Sequence, residues 1–368
     1  MKYVFKFFVA VFFILNFSNS HAQRKKLRVI AYYAGPAQRI DSFEIGKLTD
    51  LIYCFGHLKG DSFNILRPLG YETIQKMVGW KQKNPGLKVI LSLGGWGGCQ
   101  TCSEVFSTQD GRSGFAHSVK DVLTETSADG IDLDWEYPVI EGFPGHSHKP
   151  EDKENFTSLL KTLRDSLGKK HLITFAAGGF QKYLDSAIDW KQVVKYVNYI
   201  NLMTYDLVSG YSTITGHHTA LYSANPQMES TDRAVEFLLK AGVPSRKIVI
   251  GAAFYGRIWA NVPDTNHGLY QPGTFQRVIG FSQIDSLFKT NSGYTQYWDP
   301  VVKAPYAYNP AEKLFMTYDD RRSMEIKTEY AIKKKLAGIM FWQLGNDDER
   351  GGLLDAIWKV KEGMVKPK

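Results

Sequence analysis

The stretch DGIDLDWEY, Asp129 to Tyr137, sets four acidic residues among residues otherwise typical of a buried β-strand. Side chains alternate along a strand. Asp132, Asp134 and Glu136 are therefore expected on one face, and Ile131, Leu133, Trp135 and Tyr137 on the other. Same-face neighbours lie about 6.6–7 Å apart. Three carboxyls at that spacing in a partly dry interior do not all ionise, because repulsion and desolvation raise at least one pKa. Asp134 and Glu136 then keep a proton at neutral pH, which is what a general acid requires. A calcium loop also reads D-x-D-x-D, but it needs a Gly turn and a Glu at the twelfth position. Here Leu133 and Trp135 give the intervening positions strand character. An exposed edge strand with one polar face is the plainer alternative, and the long apolar flank argues against it.

Such acids need elements to hold them. Eight short apolar runs recur: LRVIAYY, LIYCFG, KVILSLGG, GIDLDWEY, LITFAAGG, VNYINLMTYD, KIVIGAAFYG and AGIMFWQL. Most are near-continuously apolar, as strands buried on both faces should be. Amphipathic patterns separate many of them. In NFTSLLKTLRDSL, for instance, Phe156, Leu159, Leu160, Leu163 and Leu167 share one helical face. Eight alternating units predict an α/β fold closed into a (β/α)8 TIM barrel. An open doubly wound sheet is the runner-up, but YYAGPAQRI lacks a Gly-rich phosphate turn after the first strand. In the barrel the acids point inward, with Glu136 nearest the C-terminal end that substrates reach.

One connection is too long. Residues 258–315, between the seventh strand and its helix, are rich in Tyr, Trp, Gly, Pro and Asn. A structureless loop of that length is uncommon, so a small α+β subdomain is expected there, forming one wall of a groove. A decoration without function is the alternative.

Residues 1–22 carry a short basic start, an apolar run to about Phe17 and small Ser20 and Ala22 at cleavage spacing, so a signal peptide is expected. The apolar run is shorter than the ~20 residues of a spanning helix. Residues 23–368 then form a single catalytic domain, placed in the periplasm or outside the cell, with no membrane association after cleavage. The formal charge of +8 falls by two, to +6, with Lys2 and Lys6 gone. The remaining basic residues are dispersed, which weighs against nucleic-acid binding. Cys99 and Cys102 form CQTC. In an exported protein a local disulfide ranks ahead of two free thiols and of a redox pair, and Cys54 reads as a small buried hydrophobe. The histidines of HSHKP and GHHTA read as loop residues rather than metal ligands.

DGIDLDWEYP resembles the signature of glycoside hydrolase family 18, the chitinases. Asp129, Asp132, Asp134 and Glu136 meet its D-x-x-D-x-D-x-E pattern. LSLGGW resembles the family's third-strand motif, NLMTYDL its sixth-strand M-x-Y-D, AAFYGRIW the seventh-strand end and MFWQLGND the eighth strand. The resemblance covers nearly the whole chain after residue 22. It implies retaining hydrolysis of β-1,4-linked N-acetylglucosamine, assisted by the substrate and without cofactor or metal.

By the same resemblance Glu136 is the general acid and base, Asp134 steadies the acetamido group, and Asp132 shares the proton. Tyr205 orients the acetamido carbonyl. Ser92 and Tyr32 bond the inner carboxylate. Met203, Asp206, Arg257 and Trp342 line the sugar site with Phe55 and Gly95, and Trp96 is a stacking platform. The implied partners are chitin or its oligosaccharides, met by a monomer. A lectin of this family would lack the acid that Glu136 supplies. An endoglycosidase acting on N-glycans is the other alternative. The GGWGGCQTC loop departs from the family pattern.

Overall fold

The computed structural model describes residues 27–290 and 293–364; the expected signal peptide lies outside them. Eight parallel strands close on themselves: β1 (Arg28–Tyr33), β2 (Asp50–Lys59), β4 (Lys88–Gly94), β5 (Gly130–Asp134), β6 (Leu172–Gly178), β7 (Tyr199–Met203), β8 (Ile248–Ala253) and β14 (Gly338–Trp342). Closure comes from β1, which pairs with β2 on one side and β14 on the other. A short strand, β3 (Ser62–Asn64), folds back on the end of β2. The chain forms the expected (β/α)8 barrel.

Strand alternation sorts the apolar residues. Ile30, Tyr32, Ile52, Ile90, Val249 and Met340 fill the barrel. Their neighbours Val29, Ala31, Leu51, Val89, Ile250 and Ile339 face the helices. Helix Asp152–Leu167 buries Phe156, Leu159, Leu160, Leu163 and Leu167, the face read from sequence. Each such side chain contributes about 1.5–3 kcal/mol on burial. Helices Leu69–Gly79, Gln109–Thr126, Thr231–Lys240, Arg321–Lys333 and Leu353–Lys361 complete much of the outer layer.

The seventh run, KIVIGAAFYG, splits. β8 ends at Ala253, Phe254 donates its N–H to the Trp342 carbonyl (2.8 Å), and β9 (Tyr255–Ala260) starts a second sheet. Hydropathy does not mark the break because both halves are buried. The second sheet adds β10 (Thr274–Gly280), β11 (Thr295–Asp299), β12 (Ala304–Asn309) and β13 (Leu314–Thr317), antiparallel in the order β10-β9-β13-β12-β11. Helix Phe281–Lys289 packs on it through Ile284, beside Ile258, Ile279 and Met316. The sheet therefore begins and ends slightly outside 258–315.

The acidic strand is shorter than expected. β5 ends at Asp134, so the alternation does not run on to Tyr137. Trp135 still packs outward, on Phe106 and Phe156. Tyr137 instead meets Phe180 and Tyr183, each at 5.4 Å, and Trp96 at 6.4 Å.

Candidate active site

In the barrel interior, β4, β5 and β6 stand in register: Ser92 lies beside Asp132, and Asp132 beside Thr174. The Asp132 carboxylate is fully buried. Its Oδ2 accepts from Ser92 (2.8 Å) and Tyr32 (3.2 Å), and its Oδ1 from Thr174 (2.6 Å) and Asn201 (3.2 Å). Burial raises its pKa, and the four donors oppose that rise. Ser92 and Tyr32 come from the sequence reading; Thr174 and Asn201 do not. Each of those two is a lone polar residue inside an apolar strand, LITFAAG or YINLM, and that is the signal that would have found them. A polar group in a strand buried on both faces needs a partner.

Two residues on, Asp134 is buried and its Oδ1 has no hydrogen-bond partner among the described residues. Its pKa is pushed well up by burial, then by the charges of Glu136 and Asp132. Glu136 follows just past the strand end and is half-buried. Burial lifts its carboxyl to about 7, against a hydrogen bond from Tyr137 and with a further rise from the charge on Asp206. The two carboxyls titrate as a pair, so the proton belongs to both. Tyr137, absent from the sequence reading of the site, is thus a partner of Glu136. Tyr205, past the end of β7, is likewise held protonated by burial and then by Asp134 and Glu136. Its hydroxyl reaches the sulfur of Met340, at 4.0 Å.

Asp206 adopts φ 56° and turns toward the second sheet. Arg257 on β9 grips it through Nε (2.6 Å) and a terminal nitrogen (2.5 Å), and Tyr255 donates to it at 2.6 Å. His218 Nδ1 lies 3.4 Å away. Burial alone would raise this carboxyl, but His218 and Arg257 outweigh it and hold Asp206 well below the usual range. The histidines of GHHTA do lie in a loop, as expected, but in a buried one. His217 and His218 are fully buried, and His217 faces Asp299 (3.3 Å) and the Tyr306 ring (5.6 Å) at the join between barrel and second sheet. Nothing in their sequence surroundings marks that burial, because their partners are distant in the chain.

On the opposite side, Trp342 at the end of β14 stacks on Phe55 (5.6 Å, 16°) and meets Tyr32 at 6.0 Å. Gly95 is required there: a Cβ at that position would fall 2.4 Å from the Phe55 ring. Met203 lines the barrel interior with Tyr32. Trp96 is 46% exposed and touches Phe143 (5.7 Å) and Tyr211 (6.4 Å), both also exposed. Cys99 and Cys102 form a disulfide just beyond it, and Cys54 is a buried free thiol. Among the described residues no group of three or more His, Cys, Asp or Glu is placed to hold a metal ion. The mouth of the barrel thus gathers Asp132, Asp134, Glu136 and Tyr205 at its centre. Trp342, Phe55 and Tyr32 lie on one flank, Asp206 and Arg257 on another, and Trp96 at the rim. Such a set can donate a proton near neutral pH, offer an unfilled acceptor beside it and present flat rings to a ligand.

Comparison with known proteins agrees with this architecture. Residues 21–347 match the model of the Glycosyl hydrolases family 18. Chitinase A1 of Niallia circulans is 38% identical over 291 residues, 73% of this chain but only 42% of that protein's length. Probable chitinase 2 of Drosophila melanogaster is 31% identical over 340 residues, covering 86% of this chain and 69% of its own. Among solved structures, a family 18 N-acetylglucosaminidase from Paenibacillus barengoltzii superposes with a TM-score of 0.83 at 36% identity, covering 91% of this chain and 99% of that one. The Group IV chitinase of Ostrinia furnacalis, solved with allosamidin, gives 0.85 at 26%, covering 92% and 100%. With its barrel, its acidic strand and a family match spanning residues 21–347, the chain belongs to the glycosyl hydrolases family 18.

Proposed function

We propose that the protein is an exported, monomeric chitinase that cuts β-1,4 linkages between N-acetylglucosamine units of chitin or its oligosaccharides, with retention and without cofactor. Glu136 gives its proton to the glycosidic oxygen while the acetamido oxygen of the sugar on the other side of the bond attacks C1. The C1–O bond breaks and an oxazolinium ion forms. Closure makes the acetamido N–H more acidic; the Asp134 carboxylate accepts a hydrogen bond from it, and the proton stays on nitrogen. Glu136, now a carboxylate, takes a proton from water as that water opens the ring at C1 and restores the sugar. Tyr205 holds the acetamido carbonyl in line, which converts a loose group into a preset nucleophile. Trp342 floors the sugar, Asp206 and Arg257 meet its hydroxyls, and Trp96 carries a neighbouring unit.

The observation that carries this reading is the Asp134 carboxyl. It is buried with an acceptor oxygen left open, beside an acid whose pKa is about 7. An orphaned buried acceptor costs about 1–3 kcal/mol, and a substrate N–H would relieve that cost. Glu136→Gln is expected to lower kcat by about 10²–10⁴-fold while oligosaccharide binding, measured calorimetrically, persists. Near wild-type hydrolysis by that variant would contradict the assignment.

A second reading, release of single sugars from chain ends, is favoured by the ring contact between Trp96 and Tyr211. It joins the loop after the third barrel strand to the one after the sixth, and on this reading the bridge closes one end of the groove. The similarity to an N-acetylglucosaminidase agrees with it. Products from oligomers of graded length separate the two: monosaccharide throughout for the second, dimers and larger fragments for the first.

A further inference from the structure

Trp96 sits in a loop that has little of its own to hold it. The residues beside it, Gly94, Gly95 and Gly97, have φ of 106°, 75° and 84°. Glycine loses more freedom on ordering than any other residue. Two tethers supply what the glycines lack. The first is the Cys99–Cys102 disulfide, with Cα atoms 5.3 Å apart and both residues buried. Cys102 opens the helix Cys102–Ser107. Phe106 of that helix packs on Phe115 (5.1 Å) and on Trp135 (5.8 Å) behind the acidic strand. The cross-link therefore fastens the end of the glycine loop to the core.

The second tether is Ser103, which donates to Oδ1 of the fully buried Asp152 at 2.8 Å. Asp152 Oδ2 also accepts from the backbone N–H of Lys149 (2.7 Å) and of Val139 (3.5 Å). Those two residues bracket the loop that carries Phe143. Phe143 in turn lies over Gly97, where a Cβ would come within 3.3 Å of its ring, and touches Trp96. One carboxylate thus binds the loop after the third barrel strand to the loop after the fourth. Neither tether figures among the interactions that set the protonation of Asp132, Asp134 or Glu136.

We propose that the Cys99–Cys102 cross-link and the Ser103–Asp152 bond are positioning residues for the Trp96–Phe143 rim. They set how tightly the groove holds sugar units beyond the acidic centre, with no part in bond cleavage. The proposal rests on Trp96 as a sugar platform. A disulfide acts by removing conformational freedom from the chain it closes, so the effect belongs in KM. On N-acetylchitopentaose, the double variant C99S/C102S is expected to raise KM about five-fold or more with kcat within about two-fold, and S103A to raise KM about two-fold. In a W96A background both increments vanish, because coupled residues give non-additive effects. An unchanged KM in C99S/C102S and S103A, an equal fall in kcat, or increments that persist without Trp96 would overturn the proposal. If C99S/C102S does not fold by near-ultraviolet circular dichroism, S103A and S103A/W96A carry the same test. Near wild-type activity in the Glu136→Gln variant would instead overturn the reading of the catalytic centre, so the two failures are distinct.

Discussion

The Glu136 carboxyl is lifted to about 7 by burial, and that sets the pH at which a general acid is loaded. Below about 7 the proton is present; above it the acid empties tenfold per pH unit. The account predicts that kcat/KM for N-acetylchitotetraose falls along such a limb above pH 7, with the ordinary carboxylate value near 4.3 leaving no mark. That limb belongs to the Asp134–Glu136 pair, and one centred near pH 4–5 would contradict a proton held by the pair at neutral pH. The acids themselves were legible from DGIDLDWEY, because three carboxyls at strand spacing have few structural uses. Their partners were less so. Thr174 and Asn201 went unread although each is a polar residue in an apolar strand, and nothing local pointed to His218, or to Tyr255 as a donor to Asp206.

At the level of elements, β4 and β5 are held close at their upper ends by glycine. Gly94 pairs with Asp134 and has φ 106°; a Cβ there would fall 2.2 Å from the Asp134 carbonyl oxygen. Gly94→Ala is therefore expected to cost about 2–4 kcal/mol, read from urea unfolding, and to displace the acid strand. A variant as stable as the parent would mean that the two strands separate freely. Strand order and helix faces followed from periodicity, as the buried face of Asp152–Leu167 shows. Element ends were harder to read. β5 stops at Asp134 although the alternation of residue types runs to Tyr137, and one apolar run serves two sheets on either side of Phe254. A run of buried residues has no hydropathy break where the chain changes partners.

Across the whole molecule, a buried ion pair joins barrel and second sheet. Lys327 and Asp319 are both fully buried, with contacts at 2.7 and 2.8 Å. Asp319 also accepts from the Ala253 N–H at the end of β8 (3.1 Å) and from Thr219 (3.0 Å), and it stands where the chain returns from the second sheet. Lys327→Met leaves a buried charge without its partner and is expected to lower unfolding free energy by about 3–5 kcal/mol, measured by denaturant titration. A change within about 0.5 kcal/mol would assign the pair no structural weight. The lysine lay in a stretch that reads as a helix, and only the closed barrel brings Asp319 and Thr219 to it. The frame holds its acids at the mouth, and the central claim concerns what they do with a sugar that supplies its own nucleophile. The most direct measurement follows the anomeric proton of the fresh product by nuclear magnetic resonance, with N-acetylchitotetraose and cellotetraose side by side. The account predicts that the β-anomer appears first from the acetamido substrate and that the substrate lacking acetamido groups is left uncut. An α-anomer appearing first, or efficient cleavage of cellotetraose, would contradict it.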